Sequence, residues 1–214
     1  MINFSVDMRK EMSPIRDQRR RPTCMAFSAS DAHAMIHSKP MSDLSVEYAH
    51  YSACKRMATF DPHNATTVTA MLSAIHLDGQ PPEAQWPYLE TLPADISAYQ
   101  PPANIAGIVN HAGEEVASFD LVDETLRAGV PVLMAIALSR SFYGLVGDSV
   151  LPADPDFRVT GYHAILGVGM FSSPAGNGYL IRNSWGARWA MGGYGLIARA
   201  YLEPRKLFLG VFRG

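Results

Sequence analysis

Only two of the 214 residues are cysteine, Cys24 and Cys54. That excludes the multi-disulfide framework of small secreted domains and suits a reducing compartment. A surplus of either charge is also lacking. Eighteen Lys and Arg stand against 20 Asp and Glu, a formal net charge of −2, which argues against a nucleic-acid binder working through a basic surface. No apolar run approaches the ~20 residues needed to cross a bilayer. Met1 to Lys10 lacks the uninterrupted apolar stretch of a secretory signal. The expectation is a chain without membrane or nucleic-acid partners, cytoplasmic or delivered into a target-cell cytosol. Internal repeats and low-complexity tracts are missing too. With 48% hydrophobic residues, the chain can build a sizeable core as one domain or as two lobes sharing a site.

The pattern of what is present changes along the chain. Met1 to Val6 alternates like an edge strand. Cys24 to His37 reads as helix with Phe27, Ala34 and Met35 near one face, Thr23 as cap, and Pro40 ending it. Further helices are expected from Leu44, capped by Asp43 or Ser45, and over Thr67–Leu77. Residues 93–113 read as a crossing segment. Beyond it come a short helix over Val122–Ala128 and strands over residues 131–138, 163–170, 178–183 and 193–198, with a turn over Ser172–Asn177. Helices first and strands second predict an α+β chain with segregated lobes.

Four separated elements carry chemistry in the order Gln18, Cys24, His163, Asn183. A cysteine attacks only as thiolate, and a free thiol has a pKa near ~8.5. Cys24 stands at an expected helix start, where the dipole favours negative charge, and an imidazolium at His163 would favour it further. His163 then protonates the departing amine. Asn183 can hold the other ring nitrogen and so fix the tautomer. Gln18 and the Cys24 backbone N–H can stabilise an oxyanion. Trp185 could keep water off the Asn–His bond.

These residues resemble the papain-like cysteine proteases, peptidase family C1, of bacterial type. Asp17-Gln18, Cys24-Met25-Ala26-Phe27-Ser28, Leu44-Ser45-Val46-Glu47, His163-Ala164-Ile165-Leu166-Gly167-Val168-Gly169, Asn183-Ser184-Trp185-Gly186, Trp189 and Gly192-Gly193-Tyr194-Gly195 each resemble a family segment. His163 lies 139 and Asn183 159 positions after Cys24, near the ~130–150 characteristic of the family. The resemblance implies a single domain over residues 1–214. Its left lobe is helical, about residues 20–110. Its right lobe is β-rich, about residues 111–205 plus the N-terminal segment, and the active-site cleft lies between the two. It implies no cofactor and no metal, and a protein or peptide substrate met by Met25, Tyr162, Trp185 and Trp189. The chain departs from the family at Arg21 and Pro22, where cysteine and glycine are usual, and at Met25, where tryptophan is usual. A Gly-Gly pair is missing around Asn64–Thr67, and no inhibitory prosegment is expected.

Other residues have plainer readings. His33 with His37, and His50 with Cys54, share a four-residue spacing. Without the Glu of an H-E-x-x-H site they read as helix-surface residues, and Cys54 by itself as a small buried hydrophobe. Arg19-Arg20-Arg21 reads as a solvated loop, with selection of acidic substrates the sharper alternative. Gly167-Val168-Gly169 reads as close strand packing. The leading function is a cysteine endopeptidase of restricted specificity, with a bacterial effector or toxin domain, restrained by a cognate inhibitor or immunity protein, as one form of it. An amidase or acyl-transfer enzyme is a second class. A Cys-His-Asp version lacks its third residue, since no acid lies between His163 and Glu203. A non-catalytic binding module is the third.

Overall fold

The computed structural model describes residues 1–156, 158–174 and 176–214. Pro22 stands just ahead of a stretch free of Pro and Gly, and that stretch forms helix α1, Cys24–His37. Helix α2 spans Val46–Cys54, where the Ser45 hydroxyl accepts from the Tyr48 N–H at 3.0 Å. Asp43, the other candidate cap, instead accepts from Ser13 Oγ at 2.6 Å. Helix α3 spans Val68–Leu77 under a cap from Thr67. Thr23 is not a side-chain cap. Its hydroxyl lies 2.9 Å from the Tyr88 hydroxyl instead.

The strands are β1 Asn3–Asp7, β2 Ala112–Glu115, β3 Val132–Leu138, β4 Val150–Leu151, β5 Gly161–Ser173, β6 Gly176–Arg182, β7 Tyr194–Ala198 and β8 Lys206–Arg213. They make one sheet in the order β2-β8-β3-β5-β6-β7-β4, with β1 on β5. Every pair is antiparallel except β4 with β7. Helices α4 Phe119–Arg127 and α6 Arg199–Leu202 pack on it, and α5 Arg140–Tyr143 meets it through Phe142, whose ring lies 6.1 Å from that of His163. The fold is α+β, with helices early and strands late. Ala175, inside the turn expected over Ser172–Asn177, lies outside the described residues.

Strand β5 is long because two partners share one of its edges. Gly161–Gly167 pairs with β3, and Gly169–Ser172 pairs with β1. The glycines at this changeover are there for space. A Cβ on Gly167 would come within 2.5 Å of Met134 Cε, and one on Gly169 within 2.4 Å of the Val6 carbonyl oxygen.

Two expectations fail here for physical reasons. The β-rich part does not end near residue 205: β8 lies between β2 and β3, and its Leu209–Phe212 stretch is buried. Helix α1 does not bury one face only. Every residue from Met25 to Met35 is buried, because β5, β3 and β8 flank it on one side and α2 and α3 on the other. A helix enclosed all round shows little amphipathic period.

That enclosure overturns the surface reading of His33 and His50, both fully buried. His33 Nδ1 lies 2.8 Å from Gln80 Oε1 and its Nε2 lies 2.9 Å from His111 Nδ1. His50 Nε2 lies 3.1 Å from the Pro62 carbonyl oxygen. Cys54 is buried as expected, and burial pushes its thiol up to about 12. Among the described residues no group of three or more His, Cys, Asp or Glu could hold a metal ion.

Candidate active site

The nucleophile candidate sits where α1 begins, against the central strand. Cys24 is half-buried. Its thiol is met by the backbone N–H groups of Ala164, of Met25 and of Cys24 itself. Ala164 follows His163 on β5, so the thiol lies beside the strand that carries the histidine. Burial raises the thiol above its ordinary range, and those N–H groups only partly offset the rise. Burial likewise pushes His163 down to about 4, against the Asn183 hydrogen bond, which favours the charged ring. The helix start by itself therefore does not depress this thiol. Burial disfavours either charge singly.

The histidine tautomer follows from its neighbours. Asn183 Oδ1 accepts from the Ser184 backbone N–H at 2.8 Å. Because a backbone N–H can only donate, that side-chain atom must be the oxygen. His163 Nε2, 2.7 Å from the same oxygen, therefore carries hydrogen and donates, which leaves Nδ1 for the reacting groups. The Trp185 ring covers the histidine, with centroids 4.6 Å apart.

Gln18 is held as firmly. It is buried; its Oε1 accepts from Ser184 Oγ at 2.7 Å, and its Nε2 donates to the Arg21 carbonyl at 2.8 Å. One Nε2 hydrogen then remains for an oxyanion. The segment runs alongside the asparagine loop. Gln18 N–H donates to the Ser184 carbonyl at 2.8 Å, and Asp17 bridges to Trp185. Gly186 turns the chain away at φ +75, where a Cβ would strike Asp17 Oδ2 at 2.7 Å. Tyr88 donates to the Gln18 carbonyl at 2.8 Å and stacks edge-on against Phe27.

Behind this lies a buried ionic knot. Asp31 on α1 pairs with Arg182, which precedes Asn183, at 2.7 Å, and with Arg16. Arg182 also donates to the carbonyls of Ser13 and Pro14 at 2.8 and 2.9 Å. Burial would raise the Asp31 carboxyl, but the two guanidinium groups outweigh it and hold it below the usual range. Removing one partner of such a buried pair typically costs about 3–5 kcal/mol. A charged residue in an apolar strand, directly before Asn183, was the available signal for Arg182. Ser184 lay within the recognised motif, whereas nothing local marks Tyr88.

The four expected substrate contacts fall in different places. Trp185 lies over the histidine. Trp189 stacks on Phe142 at 5.5 Å and meets Trp185 edge-on at 5.8 Å, so it buttresses that ring. Met25 is 7% exposed and joins the core, leaving its N–H as its contribution at the thiol. Tyr162 is 72% exposed, and strand alternation points it away from the His163 face. Tyr143, unremarked in the sequence, is 50% exposed and stacks on Trp185 at 5.5 Å.

The sequence profile of the papain family cysteine proteases matches residues 2–204. The chain belongs to this family. It is 25% identical over 199 residues to peptidase 1 of the mite Euroglyphus maynei, spanning 88% of this chain and 58% of that protein. It is 25% identical over 200 residues to cysteine proteinase 3 of Dictyostelium discoideum, spanning 92% of this chain and 59% of that protein. The chain thus covers under two thirds of the length of these relatives. A solved structure from work on the mite allergens Blo t 1 and Der p 1 superposes with a TM-score of 0.78 at 21% identity, over 97% of this chain and 70% of that one. The ragweed allergen Amb a 11, a cysteine protease in its proform, superposes at 0.77 and 18% identity over 97% and 64%.

Proposed function

We propose that this chain is a cysteine peptidase acting on protein or peptide substrates. The observation that carries the reading is the His163–Asn183 hydrogen bond, with the tautomer set by the Ser184 N–H. His163 Nδ1 takes the Cys24 proton, and the thiolate adds to the substrate carbonyl carbon. Gln18 Nε2 and the Cys24 N–H stabilise the resulting oxyanion. The imidazolium protonates the amine as the C–N bond breaks, leaving a thioester. His163 then takes a proton from water, whose oxygen displaces the thiolate and frees the acid.

Restricted specificity is part of this proposal and is supported by the altered segment Arg19–Met25. Action in a reducing cytosol is supported by two free cysteines. Bacterial origin, a role as effector or toxin, and restraint by an inhibitor or immunity protein have only that disulfide-free composition behind them. The relatives named above come from mites and Dictyostelium. The deciding test is N-terminal tagging of fragments released from a lysate by the wild type and by Cys24→Ala. New termini unique to the wild type support peptide-bond hydrolysis, and identical profiles refute it.

A further inference from the structure

The three consecutive arginines before the nucleophile have three different fates. Arg21 turns inward, with its side chain 8% exposed, and its two terminal nitrogens grip the Glu47 carboxylate at 2.7 and 2.9 Å. Tyr99 and the Leu89 N–H donate to the same carboxylate at 2.5 and 2.9 Å. Arg19, in the left-handed region at φ +54, is held between Asp17 and Glu90, each at 3.2 Å. Arg20 is exposed and has no ion-pair partner among the described residues.

These arginines wall a cavity of about 660 Å³ that also touches His63, Glu90 and Leu92. One wall, Arg19–Pro22, belongs to the five-residue stretch between Gln18 and Cys24. A substrate carbonyl aimed at Gln18 therefore places a neighbouring side chain, at ~3.4 Å of chain per residue, within reach of this space. In sum the three arginines match Asp17, Glu90 and Glu47, but the pairing is uneven. Glu90 is engaged by Arg19, and Arg21 is neutralised by Glu47. The Asp61 carboxylate, near the His63 rim, is occupied by the His63 N–H and the Asn64 side chain at 3.0 and 2.6 Å. Arg20 is left as the cation without a counter-charge, and a guanidinium fork matches a carboxylate in two parallel hydrogen bonds.

We propose that this cavity is a subsite for an acidic substrate side chain, Glu or Asp, next to the scissile bond, with Arg20 as its specificity-determining residue. The inference rests on the proposed peptidase activity. The test uses quenched fluorescent peptides with Glu, Gln or Lys at each of the two positions on either side of the cleaved bond. The expected result is a roughly 10-fold preference for Glu over Gln at one position, expressed in KM and reduced by salt. In Arg20→Ala the ratio falls to near one, and in Arg20→Glu it favours Lys. Circular dichroism establishes that the variants are folded. Fluorescence anisotropy of the same peptides on Cys24→Ala reads the subsite without chemistry. Selective Glu-peptide binding that disappears in the Cys24→Ala, Arg20→Ala double variant supports the subsite even if the wild type cleaves nothing, and then only the peptidase reading falls. Cleavage or binding without acidic preference, or a preference unchanged in Arg20→Ala, overturns the subsite and leaves the peptidase reading intact.

Discussion

Oδ1 of Asn183 receives a hydrogen bond from His163 Nε2 at 2.7 Å, while the Ser184 backbone N–H holds that oxygen from behind at 2.8 Å. The asparagine is thus an orienting group anchored by its own loop, and it takes no proton. Asn183→Ala should lower kcat by about 10²-fold, because the ring can turn but still transfers protons. His163→Ala should lower it by about 10⁴-fold or more, because it removes the general base and acid. Steady-state kinetics on one peptide ranks the two. Full turnover in His163→Ala would sink the mechanism.

Gln18 and Ser184 are coupled by the 2.7 Å bond between Oε1 and Oγ. Gln18→Ala should cost ~10²–10³ in kcat, the range for one oxyanion donor. Ser184→Ala should cost less, since the Gln18 amide keeps its bond to the Arg21 carbonyl, and Ser184→Thr should restore most of it. A loss in Ser184→Ala confined to KM would show that the serine does not position the oxyanion donor.

Burial raises the Cys24 thiol and lowers His163, and in the proposed mechanism proton transfer between them sets the thiolate population. Iodoacetamide should modify Cys24 far faster than Cys54 near neutral pH, since burial holds the Cys54 thiol at about 12. In His163→Ala, Cys24 labelling should move to alkaline pH, above the ordinary thiol range, as its burial requires. Peptide mass spectrometry across a pH series reads both rates. An unshifted Cys24 profile in His163→Ala would rule out the pair.

Four histidines should make the fold acid-sensitive, since burial lowers His33, His50, His111 and His163. Burial lowers His33 to about 4, against its Gln80 bond, and the charges of His111 and His37 lower it further; His163 also stands at about 4. The unfolded chain binds these protons near pH ~6.5, so between pH 6.5 and 4 it holds more protons than the folded one. Stability should fall as pH drops through that window, by about 3 kcal/mol for each of His33 and His163 once below it. Urea titrations at stepped pH measure the slope, and His33→Gln should remove part of it. The same slope in that variant would refute the assignment to His33.

Much of this protein is legible from local sequence. Cys24 at a helix start, Ser45 as a cap, a helix beginning near Thr67, the Gly167-Val168-Gly169 close approach and the Asn183-Ser184-Trp185-Gly186 block are short-range patterns. Their physics lies in capping, φ limits and steric fit between neighbouring residues. The direction of α1 was legible for that reason, but its burial on all sides was not. Lys206–Arg213 shows no apolar alternation to mark it as a strand, and only the assembled sheet puts β8 between β2 and β3.

Tertiary structure alone decided what became of the charges. Local sequence gives no reason why Arg21 should turn in to Glu47, why Arg20 should stay out, or why Arg182 should meet Asp31 across 151 positions of chain. It also could not tell that His33 is enclosed, or that the Cys24 thiol is raised although it stands at a helix N-terminus. Charge energetics depend on which distant surfaces exclude water from a group and which opposite charge comes with them. Both are properties of the folded chain.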